Sequence, residues 1–175
     1  FMLGETSKTS AAGKDRGKTR SPFTQPFFPQ QFGLQASRFK EIAATMPGVT
    51  MWMMNTGYVG GSSTDVAEGN GLKVKISHSS TMLEALLSEE IVWKLDEDFQ
   101  YLVVDIEHPA NELLLSKVPQ EILSPKCFYK SVGREDDYNR WVLKMHQERR
   151  QFLSSYNVDE QIISSVCGHP AKLPR

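Results

Sequence analysis

An α/β fold, a mixed sheet with flanking helices, is predicted from three features of the sequence. The stretch "VTMWMMN" is an almost unbroken apolar run bounded by Gly48 and Gly57, the pattern of a strand covered on both faces. A helical stripe precedes it and a glycine-rich segment follows it, which is the order of an α/β unit. Near the C-terminus, apolar residues keep helical spacing from Asp136 to Tyr156, long enough to cover a sheet.

The elements follow in chain order. After the proline-rich "SPFTQPFFPQQ", apolar residues recur at Leu34, Phe39, Ile42, Ala43 and Met46, a helix stopped by Pro47 and Gly48. Val49–Met54 is then the expected central strand. It runs into "NTGYVGGSSTDVAEGNG", which has no periodicity and is expected to be a loop. Leu72, Val74 and Ile76 alternate with Lys73, Lys75 and Ser77, predicting a half-buried strand. Thr81 and Glu84 have the spacing of a capping box for a helix whose apolar face is Met82, Leu83, Leu86 and Leu87. "FQYLVVDIE" has the β-branched and aromatic content of another strand, and prolines 109, 119 and 125 predict an irregular stretch. The long helix from Asp136 is followed by a short one capped by Asn157 and stopped at Gly168.

Composition sets the class. With 39% hydrophobic and 23% charged residues, 175 residues suffice for one core. The chain is therefore expected to be a single domain or a piece of one. A net charge of −1 offers no general attraction to nucleic acid or anionic membrane. No apolar run approaches the roughly 20 residues that span a bilayer. Cys127 and Cys167 stand without metal-like spacing or a secretory signal, so reduced thiols and a cytoplasmic location are expected. The chain opens on Phe1, and residue 1 is expected not to be the biological start.

Several motifs bear on chemistry. "AGKDRGKT" imitates a phosphate loop, but such a loop needs a buried strand before it and a helix after it, whose terminal N–H groups hold the phosphates. Polar residues precede it and Pro22, Pro26 and Pro29 follow it, so a basic surface loop is expected. The four histidines are scattered, no pair has ligand spacing, and no nucleophile elbow is present. No catalytic residue and no metal ligand is therefore assigned. The best candidate is "NTGYVGG", where Gly57, Gly60 and Gly61 let the backbone approach a ligand at the end of a strand. The same glycines also suit a surface turn. Behind them, exposed Lys73 beside apolar Val74 suits phosphates and a base.

With its preceding apolar run, its basic strand and the helix "SSTMLEALLS", "NTGYVGG" resembles the C-terminal part of ATP-dependent phosphoenolpyruvate carboxykinase. "FMLGETSKTSAAGKDRGKT" is similar to that family's helix and following loop, "PFFP" to its proline-flanked segment, and "EILSPKCFY" to its "I-L-x-P-x-x-x-Y" stretch. The resemblance implies the C-terminal part of a mononucleotide-binding domain, with the true phosphate loop and the metal ligands upstream. It implies ATP as ligand, Mg²⁺ and Mn²⁺ in the whole enzyme, and conversion of oxaloacetate and ATP to phosphoenolpyruvate, ADP and CO₂. Carried over by position, Lys73 contacts nucleotide, Val74 lines the adenine and Ser79 lies near the base, beside Gly57, Gly60 and Gly61. The family has Arg, Thr and Trp where Lys73, Ser79 and Tyr58 stand, and a shorter glycine loop. These departures are compatible with a divergent branch, an altered nucleotide choice or lost activity. The alternative to an enzyme portion is a carboxykinase-like domain that binds a ligand or partner without turnover.

Overall fold

The computed structural model describes residues 4–6, 19–22 and 31–167, arranged as a helix-rich α/β protein with small antiparallel sheets. Two compact units divide it: Phe1–Thr50 with Leu143–Arg175, and Met51–Val142.

In the first unit, strand β1 (Gly4–Thr6) pairs antiparallel with β2 (Thr19–Ser21). The resemblance predicted a helix where β1 begins, and the pairing of Gly4 with Ser21 replaces it. Most of "AGKDRGKT" and of the proline-rich segment, including "PFFP", lies outside the described residues. Thr19, however, opens a strand where a phosphate loop requires a helix. Helix α1 (Phe32–Ala44) follows, close to the predicted stripe. Its Gly33 lies against the turn at 156–157, where a Cβ would come within 2.6 Å of the Tyr156 carbonyl oxygen. Only glycine lets the two backbones approach so closely.

The same unit holds most of helix α7 (Glu135–Ser155) and helix α8 (Glu160–Cys167). Its core consists of Ala36, Leu153, Val158, Ile163 and Cys167, edged by Phe32, Phe152 and Tyr156. Asn157 does not cap α8 as predicted. Its positive φ of 54° places it in the left-handed region that closes a helix, here α7, while Asp159 Oδ1 accepts the Gln161 N–H at 2.7 Å to open α8. Gly168, the predicted stop, lies outside the described residues.

In the second unit, β3 (Tyr58–Val59), the capped turn of helix α2 (Ser63–Ala67) and β4 (Leu72–Lys73) occupy the predicted glycine loop and the start of the predicted strand. Helix α3 (Ile76–Leu87) begins five residues before the predicted capping box. It starts there because His78 Nδ1 accepts the Lys75 N–H at 3.3 Å, the role predicted for Thr81 and Glu84. Strands β5 (Trp93–Leu95) and β6 (Leu102–Val104) pair antiparallel, with β6 inside the predicted "FQYLVVDIE". The stretch predicted as irregular instead holds a 3₁₀ turn at Pro109–Asn111 and helices α4 (Glu112–Lys117), α5 (Gln120–Leu123) and α6 (Pro125–Ser131). Val59, Val74, Leu114, Val118, Ile122, Phe128, Tyr129 and Tyr138 form its core.

Two expectations are corrected here. The mixed sheet is absent among the described residues, which form three separate two-stranded antiparallel ladders. Val49–Met54 is no central strand either: the run is irregular and exposed, Met53 to 92%. A strand is stable only with hydrogen-bonded neighbours, and no ladder among the described residues includes this run. Within it, the Trp52 ring stacks on Trp93, with centroids 4.4 Å apart. No helix among the described residues is long and apolar enough to cross a membrane.

Candidate functional site

The candidate site is built on the β3–β4 ladder, where Tyr58 faces Lys73 and Val59 faces Leu72. Asn55 shapes the entry. Its Oδ1 accepts the Gly57 N–H at 2.8 Å and its Nδ2 donates to the Tyr58 carbonyl at 2.9 Å, a local side-chain turn of the kind that Asn forms readily. The Val74 N–H then donates to the Gly57 carbonyl at 2.9 Å, so Gly57 and Val74 are direct neighbours.

A cleft of about 240 Å³ opens beside this junction, lined by Met54, Thr56, Val74, Ile76, Ser79, Ser80 and Leu83. Its walls are four apolar side chains and its polar groups are three hydroxyls. That composition suits a flat heterocycle that needs apolar contact and a few hydrogen bonds. The early start of α3 places Ser79 and Ser80 here, by putting them in the first turns of a helix. Ser79 Oγ donates to the Lys75 carbonyl at 3.5 Å, the back-bond of a helical serine rather than the pairing with a base that a nucleophile requires.

Among the residues predicted from sequence, Val74 and Ser79 meet in the cleft, and Gly57 adjoins them through the backbone. Lys73 is exposed on β4, one residue from Val74, but is not part of the lining. Gly60 and Gly61 stand apart from the cleft. A Cβ at Gly60, whose φ is +83°, would overlap the Phe128 ring, and one at Gly61 would meet Asp65. Packing within the protein therefore accounts for both glycines. Sequence reasoning missed Met54, Thr56, Ile76, Ser80 and Leu83. The signal for Thr56 was its place within "NTG", and for Ile76 and Leu83 their apolar character at positions that the structure leaves exposed.

Asp65 sets the local charge. Its carboxylate accepts from the Ser62 hydroxyl and N–H, both at 2.6 Å, in a reciprocal capping box at the start of α2. The Ser62 hydroxyl first, then its N–H, lower the Asp65 pKa below its ordinary value. A lowered folded-state pKa stabilises above the unfolded-state value, and this is lost as pH falls through the folded-state value. The Ser62 amide resonance is therefore expected to hold its position until the pH drops below the ordinary aspartate range. A midpoint at the ordinary value in an acid NMR titration would show that the capping box does not hold in solution.

A larger cleft of about 430 Å³ lies between α3 and α4, with Glu84, Glu90, Asn111 and Lys117 among its lining residues. None of the predicted residues reaches it. Among the described residues, no group of three His, Cys, Asp or Glu side chains is placed to hold a metal ion. Cys127 and Cys167 are free thiols, and burial raises the pKa of both.

A family model described as phosphoenolpyruvate carboxykinase matches residues 1–109, more than half of the chain and all of the smaller cleft. The chain belongs to the phosphoenolpyruvate carboxykinase family. Curated relatives agree, each named phosphoenolpyruvate carboxykinase (ATP). That of Shouchella clausii is 29% identical over 172 residues, covering 89% of this chain and 28% of the relative. That of Thermus thermophilus is 28% identical, with the same coverage. That of Sinorhizobium medicae is 30% identical over 154 residues, covering 83% of this chain and 26% of the relative. This carboxykinase-family chain thus spans under a third of the length of the relatives it matches.

Proposed function

We propose that this chain is the C-terminal, nucleotide-facing portion of an ATP-dependent phosphoenolpyruvate carboxykinase, incomplete as a catalyst by itself. The whole enzyme would act in the cytoplasm on oxaloacetate and ATP, giving phosphoenolpyruvate, ADP and CO₂. The observation that carries the reading is the meeting of Val74 and Ser79 in one apolar, hydroxyl-edged cleft inside the family match. In this reading Val74, Ile76 and Leu83 contact the adenine, and Ser79 and Thr56 hydrogen-bond its edge. Gly57 gives the backbone room at the cleft mouth, and Lys73 supplies a point charge toward the phosphates. Following the family resemblance, metal chemistry is assigned to parts of the enzyme upstream of this chain. The exposed apolar run Val49–Met54 would be covered by those same parts. A second reading, a carboxykinase-like domain without turnover, takes that run as the docking face for a separate partner.

Ile76 is the position for the test, because it lines the cleft yet is 87% exposed. A charge there leaves the core intact. Ile76→Asp would place a carboxylate beside the base and its phosphates, and is expected to weaken ATP binding by about tenfold or more, some 1.4 kcal/mol. Equal affinities by calorimetry, in a variant that melts like wild type, would remove the cleft from nucleotide binding.

A further inference from the structure

The segment between Gly57 and Lys73 is tied down at two points by the junction of α6 and α7. At one point the Tyr129 hydroxyl donates to the Gly60 carbonyl at 3.4 Å, and the Phe128 ring lies where a Gly60 Cβ would fall. At the other, Arg134 Nη1 donates to the Asn70 carbonyl at 3.0 Å. One guanidinium joins the two. It lies 5.1 Å from the centroid of the Tyr129 ring, and its Nε donates to Asp137 Oδ2 at 2.8 Å. Gly133, with φ +69°, makes the turn that brings Arg134 here, and the Arg134 N–H closes it on the Tyr129 carbonyl at 2.8 Å. Phe128 and Tyr129 are themselves buried in the core. The clamp is therefore anchored on rigid structure, and it grips the segment beside the ladder that carries Val74.

We propose that Arg134, acting with Tyr129, is a positioning residue that holds the Gly57–Lys73 segment in its nucleotide-ready form before ATP arrives. The inference rests on the nucleotide reading above. A loop ordered in advance costs the ligand no ordering entropy, so its release appears as lost affinity rather than as lost contact. The role requires a fork of donors over an aromatic face. A lysine ammonium is a single point and cannot bond Asp137 and the Asn70 carbonyl in that geometry while stacking on Tyr129.

Hydrogen exchange and ATP calorimetry on the full-length protein test this with Arg134→Ala, Arg134→Lys and Tyr129→Phe. Both Arg134 variants are expected to speed amide exchange between Val59 and Lys73 by about tenfold or more, leaving α4 and α5 at wild-type rates. ATP affinity should fall by about fivefold or more in the same variants. Methylguanidinium added to Arg134→Ala should restore both readouts, which a general loss of stability would not allow. Arg134→Lys keeps the charge and the aliphatic stem, so it serves where the alanine variant does not fold. Tyr129→Phe keeps the stacked ring and loses only the Gly60 bond, so faster exchange is expected near Gly60 alone. Unchanged loop exchange in both Arg134 variants would overturn the clamp. Faster exchange with unchanged ATP affinity would overturn its coupling to the ligand. A full-length wild-type protein that does not bind ATP would instead overturn the nucleotide reading, and the positioning role with it.

Discussion

Val74→Asp is expected to lose about 3–5 kcal/mol of stability, the cost of an uncompensated charge in a core. Val74 is 3% exposed and packs with Val59, Leu114, Val118 and the aromatic residues of α6. The cluster is built of aliphatic and aromatic side chains, so an aspartate at its centre would unfold the unit or take up a proton. Urea denaturation reads the loss as a lower midpoint at constant slope. A loss under about 1 kcal/mol would mean that Val74 faces water in solution. The same burial makes Val74→Asp a poor probe of nucleotide binding, since lost affinity would follow from unfolding alone.

Asn111→Ala is expected to cost about 2–4 kcal/mol, through an orphaned amide and the space left behind. Asn111 is 1% exposed. Its Nδ2 donates to the Val92 and Asp105 carbonyls, each at 2.8 Å, and its Oδ1 accepts the Val92 N–H at 3.0 Å. The two carbonyls keep backbone partners, the N–H groups of Asp105 and His108. The Val92 N–H loses its acceptor, so most of the cost falls there. Asn111→Asp separates the terms further. Its second carboxylate oxygen would face the two carbonyls, raising the folded-state pKa, so stability should recover as pH falls below that value. Equal stability of Asn111→Asp at neutral and acid pH would contradict the bonding described for Nδ2.

Helix α7 was legible almost to the residue, because a long stripe at helical spacing leaves no competing period. Strand β6 was legible from its β-branched content. The start of α3 was hidden by the alternation of Leu72, Val74 and Ile76, which imitates a strand up to the residue where the helix begins. Its N-terminus has no Ser or Thr cap and is closed instead by His78 Nδ1, which reaches back from the third helical position to the Lys75 N–H. The prolines at 109, 119 and 125 were read as breakers, yet each opens a helical turn, where the missing N–H is no loss. Val49–Met54 failed for a different reason. Its apolar run states a preference for burial, but a strand also needs partners, and these are not among the described residues. For the site, periodicity offered only Lys73 beside Val74. Ser79 came from the family resemblance, and its place in the cleft depends on the helix that the alternation concealed.

The central claim is that the cleft between Thr56 and Leu83 receives the adenine of ATP. Amide chemical shifts of the ¹⁵N-labelled full-length protein, followed during an ATP titration, test it most directly. Saturable shifts are expected at Thr56, Gly57, Val74, Ile76, Ser79, Ser80 and Leu83, with smaller ones at Lys73 from the phosphates. Inorganic triphosphate should reproduce the Lys73 shifts without those at Ser79 and Leu83. Saturable ATP shifts centred elsewhere, or none at millimolar ATP, would contradict the account.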